Sequence, residues 1–422
     1  MKGTKLICAA LSGMLLAALA ALAVPCSADE THAAETYEGD GFTLSYQLED
    51  AGAAVVGCSS DAVNVTVPDT LGGKPVTSVE ESAFNSCGAI ETVTLPDSVT
   101  LIGDGAFFGC TTLKSVTLPK SLTKIGYQAF YYCADLESIN LPESMQSIGD
   151  QAFLACLKLT TVTLPASLTS LGDYVFEGCE GLTEIRVDPE NQIYCDLEGV
   201  LFNEDMTQLI KYPDQHAGDS YTLPDSTTAI ANWAFTGAKN LVSLDLNKAT
   251  EIGKDAFYIC TALEQITIPE GVTALPGTTF GGCTALKQVQ LPDSLTKLGD
   301  YCFVNCPELK DITIPGSVST IGNYALGFTL DTETKTTAKV DGFTIHTRVG
   351  TAAASYAKEN DIHYEKQGAK TGLVLVIAGG VLLLAGAVIL AIRLRGDKQN
   401  DAPEAATDAA KEQETPDAPE KE

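Results

Sequence analysis

The chain has few basic residues. Its 422 residues include 26 Lys and Arg against 55 Asp and Glu, which gives a formal net charge of −29 at pH 7. Without the two lysines near the start, Arg393, Arg395 and the acidic C-terminal tail, the remaining residues 29–370 still carry −27. Nucleic acids and anionic lipid surfaces would be repelled by such a chain. Basic proteins, neutral glycans and divalent cations stay compatible with it, as does a solvated acidic surface with no specific partner.

The chain also lacks the motifs that carry catalysis or bind cofactors. Its four histidines are His32, His216, His346 and His363, and none belongs to a nucleophile motif. The sequence has no HExxH, no phosphate-binding loop and no Rossmann glycine pattern. No C-x-x-C pairing suggests a tetrahedral metal site. We therefore predict a protein that is not an enzyme and has no cofactor or metal, unless a nucleophile and a base meet in space.

A repeated unit of mostly 23 residues fills the middle of the chain. It is clearest in residues 95–117, LPDSVTLIGDGAFFGCTTLKSVT, and recurs in residues 118–140 and 141–163. A cysteine recurs three residues after the phenylalanine of the unit, and Ala238 takes that place once. These cysteines are Cys87, Cys110, Cys133, Cys156, Cys179, Cys260, Cys283 and Cys306. A fixed period of this length is typical of a solenoid.

Each unit predicts one coil of the solenoid. Val116 and Leu118 alternate as in a half-buried strand, and the following Pro119 ends the strand because it has no backbone donor. Gly126 and its equivalents predict a turn with positive φ. The A-F-x-x-C segment predicts a short helical turn with its apolar residues on one face. We predict an α/β solenoid with one continuous parallel strand ladder and a buried row of stacked phenylalanines, plus one C-terminal transmembrane helix.

These residues resemble the leucine-rich repeats of BspA-type bacterial surface proteins. Leucines, proline, glycine, A-F and cysteine recur in register over roughly residues 40–365. The segment 63–79 is similar to the entry region of such proteins, 344–364 to their closing hairpin and helix, and 187–222 to a variant repeat. The resemblance implies that the solenoid is a right-handed leucine-rich-repeat coil. It also implies an extracellular scaffold for adhesion or ligand binding that has no enzyme activity.

A signal peptide, two caps and one variant unit are predicted around and within the repeats. The basic and then apolar start predicts a signal peptide at 1–28, cleaved after Ala28, with a lipoprotein site at Cys26 as the alternative. The predicted domains are an N-terminal cap at 29–66, the solenoid at 67–339 with its variant unit at 187–222, and a C-terminal cap at 340–366.

The apolar run at 372–392 has 21 residues without a charge, about 31 Å of helix, and predicts a membrane span. Arg393, Arg395 and Lys398 predict that the C-terminus is cytoplasmic. Residues 393–422 predict a disordered acidic tail. The predicted location is the cell membrane, with a single pass and an extracellular ectodomain. A sortase signal would need an LPxTG-like site just before the apolar run, and none is present.

The cysteines at the repeated position are predicted to be buried free thiols, because equivalent side chains in stacked coils point the same way rather than toward one another. Cys58 and Cys195 lie off this row, and their redox state stays open.

Two surfaces are candidates for binding an extracellular protein or glycan. One is the polar strand face, which includes Thr161 and Thr163. The other is the row two residues before the repeat phenylalanine, where we predict a ligand contact through Tyr174, Trp233, Tyr301 and Tyr324. Partial burial of these rings against the next coil is the alternative. The predicted function is a membrane-anchored scaffold for adhesion or ligand recognition. The runner-up is a surface sensor or assembly receptor that acts through its cytoplasmic tail.

Overall fold

A computed structural model describes residues 34–366. Three predicted segments lie outside these residues: the signal peptide at 1–28, the membrane span at 372–392 and the acidic tail at 393–422. Among residues 34–366, no helix has the length and apolar character that a membrane crossing requires.

Two rows of short strands run through the repeats. The first ladder comprises β4 (Asn64–Thr66), β7 (Thr92–Thr94), β9 (Ser115–Thr117), β12 (Thr161–Leu164), β14 (Glu184–Val187), β18 (Ser220–Thr222), β20 (Ser243–Asp245), β22 (Gln265–Thr267), β24 (Gln288–Gln290), β26 (Asp311–Thr313), β30 (Thr344–Thr347) and β31 (His363–Lys366). The second ladder comprises β6 (Lys74–Val79), β8 (Leu101–Ile102), β10 (Lys124–Ile125), β11 (Ser147–Ile148), β13 (Ser170–Leu171), β17 (Gln208–Lys211), β19 (Ala229–Ile230), β21 (Glu251–Ile252), β23 (Ala274–Leu275), β25 (Lys297–Leu298) and β27 (Thr320–Ile321).

The remaining elements cap or interrupt these ladders. They are β1 (Glu35–Glu38), β2 (Thr43–Leu48), β3 (Ala53–Cys58), β5 (Thr70–Leu71), β15 (Tyr194–Leu197), β16 (Val200–Asn203), β28 (Phe328–Leu330), β29 (Thr337–Lys339) and helix α1 (Ala352–Glu359). The antiparallel strands β1, β2 and β3 lead into β6 and close the N-terminal end of the second ladder.

Pairing within both ladders is parallel and matches one coil to the next. Val93 lies opposite Val116 in the first ladder, and Ile102 lies opposite Ile125 in the second. In each case the apolar residue is buried, whereas Thr94 and Thr117 beside it are exposed. The predicted parallel ladder is confirmed, and the alternation of apolar and polar residues explains which side faces inward.

The A-F-x-x-C segment is a pair of turns, so the predicted short helical turn is wrong. Gly105 and Gly109 have φ of +58° and +71°, and Gln128 and Tyr132 have the same sign in the next coil. Phe107 N donates to Ala129 O at 2.7 Å, which links the turns of adjacent coils. A spacing of three suits both a helix and this turn, so the sequence alone did not separate them. The fold is a β-solenoid, and α1 is its one α-helix among residues 34–366.

Glycine is required after each second-ladder strand for a different reason from the one predicted. Gly149 is not among the residues with positive φ. A Cβ atom on Gly149 would lie 2.6 Å from the Gly126 carbonyl carbon and 2.6 Å from Tyr127 N. Glycine is required here because the backbones of adjacent coils approach too closely for a side chain.

The interior holds the repeat phenylalanines, in two stacks rather than one. The first runs from Phe84 to Phe176 and the second from Tyr212 to Phe303, with neighbouring ring centroids 4.8 to 5.9 Å apart. Two apolar clusters correspond to these stacks, and they meet at β16, where Leu201 belongs to one and Phe202 to the other. The prediction of one continuous ladder and one row of rings is therefore wrong at residues 187–222.

Candidate functional site

The variant unit, residues 187–222, breaks the solenoid and creates a groove beside the break. Its strands β15, β16 and β17 pair antiparallel, and β17 then pairs with β19. Strand β13 therefore ends one sheet, and β17 lies in another. The backbone N–H of Leu171 in β13 donates to the Tyr194 hydroxyl at 2.9 Å instead of to a neighbouring strand.

The groove is an open cavity of about 500 Å³ that crosses the outer side of the second ladder. One wall is formed by residues 172–174, and the floor is formed by β17, β19, β21 and β23. Ala229 and Ala274 have short side chains and Gly253 has none, which leaves open space above these strands. In the next coil the longer Lys297 takes the place of Ala274. A cavity of this size falls within the range typical of ligand sites in proteins.

Two exposed carboxylates, Asp173 and Glu251, face the groove together with the amides of Gln208 and Asn232. Among the described residues, no lysine or arginine lines the groove or pairs with either carboxylate. The groove is therefore electronegative and open to solvent.

Asp173 is left free because the next coil is the variant unit. In regular coils the equivalent aspartate accepts a backbone N–H from the following coil. Asp104 accepts from Tyr127 at 2.8 Å, Asp150 from Asp173 at 2.9 Å and Asp300 from Asn323 at 2.7 Å. Within residues 34–366, nothing donates to the Asp173 carboxylate. The break in the ladder thus turns a structural aspartate into an available one.

The four predicted aromatic residues form two separate groups. Tyr174 lines the groove, and its ring meets the Trp233 ring edge to face at 5.8 Å, with Tyr258 6.1 Å beyond Trp233. Tyr301 and Tyr324 stack on each other at 5.6 Å, farther along the chain. The structure brings Tyr174 and Trp233 together at the groove, and it does not bring Tyr301 and Tyr324 there. All four are half-buried.

These aromatic residues sit at a left-handed backbone position. The φ angles of Tyr174, Trp233, Tyr301 and Tyr324 are 59°, 62°, 57° and 51°. The regular coils all have this conformation at the same place, and Gly105 adopts it without strain in one coil. A bulky residue with positive φ is costly, about 1–3 kcal/mol, so the fold alone does not favour an aromatic side chain here.

A buried ion cluster, Glu177, Lys211 and Asp214, underlies the break. Lys211 Nζ lies 3.0 Å from Asp214 Oδ1 and 3.4 Å from Glu177 Oε2, and it donates to Thr236 O at 3.3 Å. Burial raises the pKa of Glu177 to about 8 although Lys211 opposes the shift, and burial raises the pKa of Asp214 in the same way. Burial alone would lower the pKa of Lys211, but the two carboxylates raise it. The lysine therefore stays charged in the interior.

Sequence reasoning missed both the groove and the ion cluster. A signal for the cluster is present in the segment Lys211–Asp214, because Tyr212 takes the place of the repeat phenylalanine and charged residues flank it. No comparable signal marks the groove, since it depends on a hydrogen-bond donor that the variant unit does not supply to Asp173.

The cysteines at the repeated position lie in the interior as free thiols. Each Sγ from Cys110 onward donates to the carbonyl oxygen of the phenylalanine in the preceding coil, for example Cys133 to Phe107 O at 3.2 Å. Burial raises the pKa of the Cys110 thiol to about 12. Cys58 and Cys195, off the row, are half-buried free thiols. Small size and a weak donor explain why cysteine suits this position.

Within residues 34–366, no cluster of His, Cys, Asp and Glu side chains could hold a metal ion. His216 contacts the Tyr212 hydroxyl at 3.0 Å, and His346 lies 3.4 Å from Glu365 Oε2. The neighbour of His216 is therefore a tyrosine hydroxyl, and the neighbour of His346 is a carboxylate.

The model of the BspA-type leucine-rich-repeat region, in six copies, matches residues 77–196 and 215–330. The chain belongs to this family. Members are typically surface-associated binding scaffolds, generally without catalysis, and leucine-rich-repeat proteins generally bind protein ligands. The matched residues include all four predicted aromatic residues and the groove lining except Gln208 and Ile210.

Several solved bacterial structures are similar to this chain. The pneumococcal vaccine antigen PcpA is 25% identical, with a TM-score of 0.62 over 80% of this chain and 100% of that one. A leucine-rich-repeat protein of Eubacterium ventriosum is 24% identical, with a TM-score of 0.49 over 70% and 94%. A leucine-rich cell surface protein of Faecalibacterium prausnitzii is 22% identical, with a TM-score of 0.48 over 81% and 100%. No curated protein matches the chain in sequence.

Proposed function

We propose that this BspA-type protein is a non-catalytic surface scaffold that recognises an extracellular protein or glycan at the groove and its aromatic wall. The observation that carries the proposal is the break at the variant unit. It frees Asp173, opens a cavity of about 500 Å³ and places Tyr174 against Trp233 at the rim. Irregular segments on a rigid scaffold are where binding residues concentrate.

The aromatic wall supports a role in binding rather than in folding. Glutamine occupies the position of Trp233 in two other coils, as Gln128 and Gln151, with φ of 53° and 58°. A coil therefore forms without a ring at this place. Tryptophan and tyrosine are enriched among the residues that dominate binding energy, where truncation commonly costs at least about 2 kcal/mol.

Tyr301 and Tyr324 belong to the proposal as a second contact. They stack on each other, and Phe328 lies edge to face with Tyr324 at 5.1 Å. The coils of Asp255 and Thr278 separate this pair from Trp233 along the chain. A large partner could contact both groups, whereas a small ligand would occupy the groove alone.

An array of glycans and extracellular-matrix proteins, probed with the full chain in detergent, tests the binding proposal. Trp233→Gln should weaken the detected interaction about thirtyfold, which corresponds to about 2 kcal/mol. Its melting temperature should stay near that of the parent, because glutamine is a natural residue of this position.

The matched control is Thr161→Lys with Thr163→Lys, which alters the exposed strand face in β12. This variant should bind normally. Loss of binding in the control, with full binding by Trp233→Gln, would move the site to the strand face.

The membrane part of the proposal rests on the apolar run at 372–392. We infer that it anchors the scaffold at the cell membrane, with the repeats outside. A chain that ends at Lys370 should be released into the medium, whereas the full chain should sediment with membranes. Equal distribution of the two chains would refute the anchor.

A further inference from the structure

We propose that the groove takes a cationic ligand, a Lys- or Arg-bearing peptide segment of a partner protein. This inference rests on the proposed function and specifies the chemistry of its ligand. The feature that leads to it is the combination of two unpaired carboxylates and the Tyr174 ring in one cavity, with Trp233 packed against that ring.

The carboxylates are placed to receive a cation. Asp173 stands on the wall and Glu251 on the floor, both exposed. Ala229 and Ala274, in the coils before and after Glu251, are too short to shield it. The two basic side chains nearest to Glu251 in sequence pair elsewhere: Lys248 lies 3.3 Å from Asp225 Oδ2, and Lys254 lies 3.6 Å from Asp255 Oδ2.

The aromatic wall adds a second attraction for the same ligand. Tyr174 lines the cavity, and Trp233 packs edge to face with it. A guanidinium or ammonium group over a tyrosine or tryptophan ring is attracted by the electron density of the ring face. Carboxylates beside the ring then hold the charge through hydrogen bonds.

Long-range charge favours the same class of partner. The chain carries −29, so basic segments are drawn to it and acidic ones are repelled. The tail at 397–422 has nine acidic residues against three lysines, which makes it a poor occupant of this groove. A neutral glycan would stack on Tyr174 but would leave both carboxylates without a countercharge.

Trp233 provides a direct measurement because it is the only tryptophan in the chain. The full chain in detergent would be titrated with the hexapeptide amide (Gly-Arg)₃ while Trp233 fluorescence is recorded. The control peptide replaces each arginine by citrulline, which is neutral and of almost the same shape. The arginine peptide should give a saturable change that weakens as salt is added, and the citrulline peptide should give a response at least about fivefold weaker.

Charge variants locate the site. Asp173→Asn with Glu251→Gln should weaken binding of the arginine peptide by roughly tenfold. Glu143→Gln with Glu308→Gln removes the same net charge from exposed, unpaired positions outside the groove and should change the affinity by less than about twofold. Equal effects of the two double variants would overturn the proposal, because binding would then follow net charge alone.

A titration with maltohexaose separates this inference from the proposed function. A Trp233 response to the sugar, with none to the arginine peptide, would overturn the cationic ligand and leave the binding role of the groove standing. If array binding persists in Trp233→Gln and neither probe changes the fluorescence, both proposals fail.

Discussion

Replacement of Lys211 by methionine should destabilise the protein strongly, because it leaves the buried Asp214 carboxylate and the neighbouring Glu177 carboxyl group without their nearest cation. The side chain of Lys211 is only 7% exposed and that of Asp214 only 3%. Methionine keeps the apolar stem of lysine and removes the charge. The variant therefore isolates the ion cluster from the packing around it.

The magnitude follows from the contacts. Lys211 Nζ lies within 3.4 Å of both Asp214 and Glu177, and it also donates to Thr236 O. Breaking a buried ion pair by removing one partner costs about 3–5 kcal/mol. We expect a loss in this range in the free energy of unfolding, measured by urea titration of the full chain followed by circular dichroism.

Lys287→Met is the matched control. Its ammonium pairs with Glu264 at 2.9 Å, but both side chains are about half exposed, 52% and 49%. Exposed pairs contribute about 0–1 kcal/mol. Equal losses for Lys211→Met and Lys287→Met would refute the assignment of a buried cluster. Adding Glu177→Gln and Asp214→Asn to Lys211→Met should restore part of the stability, since no unpaired charge then remains.

Three further predictions concern the interior. Burial raises the pKa of Glu177 to about 8 in the folded protein, against 4.5 for an ordinary glutamate, so the stabilisation from protonated Glu177 is complete below pH 4.5 and is lost as pH rises through about 8. The melting temperature of the parent protein should therefore fall across this pH range, and that of Glu177→Gln should fall by less. Equal falls in the two proteins would contradict this prediction. Phe153→Ala, between two stacked rings, should lower the free energy of unfolding by about 3–5 kcal/mol. The exposed Ser138→Ala should change it by no more than about 0.5 kcal/mol. Similar urea midpoints for the two variants would contradict the assignment of Phe153 to the interior and Ser138 to the surface. Thiol counting after denaturation without reductant should find the ladder cysteines free, and a Cys110–Cys133 disulfide in mass spectra would refute the thiol ladder.

The repeat architecture could be predicted from the sequence because each coil solves the same packing problem. Recurrence of Phe107 and Cys110 every 23 residues places them in one interior, where both are fully buried. The exposed and buried sides of the first ladder followed from alternation alone. These features depend on side-chain type, which a single sequence displays directly.

Backbone details could not be predicted in the same way. The A-F-x-x-C spacing fits a helix and the observed turns equally well, and only inter-coil bonds such as Phe107 N to Ala129 O decide between them. Gly149 was correctly identified as a special position, but for the wrong reason. Its requirement comes from the backbone of the neighbouring coil at 2.6 Å, which is a tertiary contact.

The candidate site was only half predictable. Tyr174 and Trp233 were identified as out of place in their coils, and they meet at the groove. Their separation from Tyr301 follows from intervening coils whose residues, Asp255 and Thr278, were visible in the sequence. The availability of Asp173 could not be predicted, because it follows from a hydrogen bond that the variant unit fails to make.

We infer that the variant unit creates the binding site by interrupting the solenoid. The most direct test replaces residues 187–222 by a copy of the regular unit 141–163, LPESMQSIGDQAFLACLKLTTVT, and measures array binding of the resulting full chain. The copy should join the two phenylalanine stacks and close the groove, so we predict cooperative melting together with loss of binding. Binding at the parental affinity by a cooperatively melting chain would show that the interruption at residues 187–222 is not needed for binding.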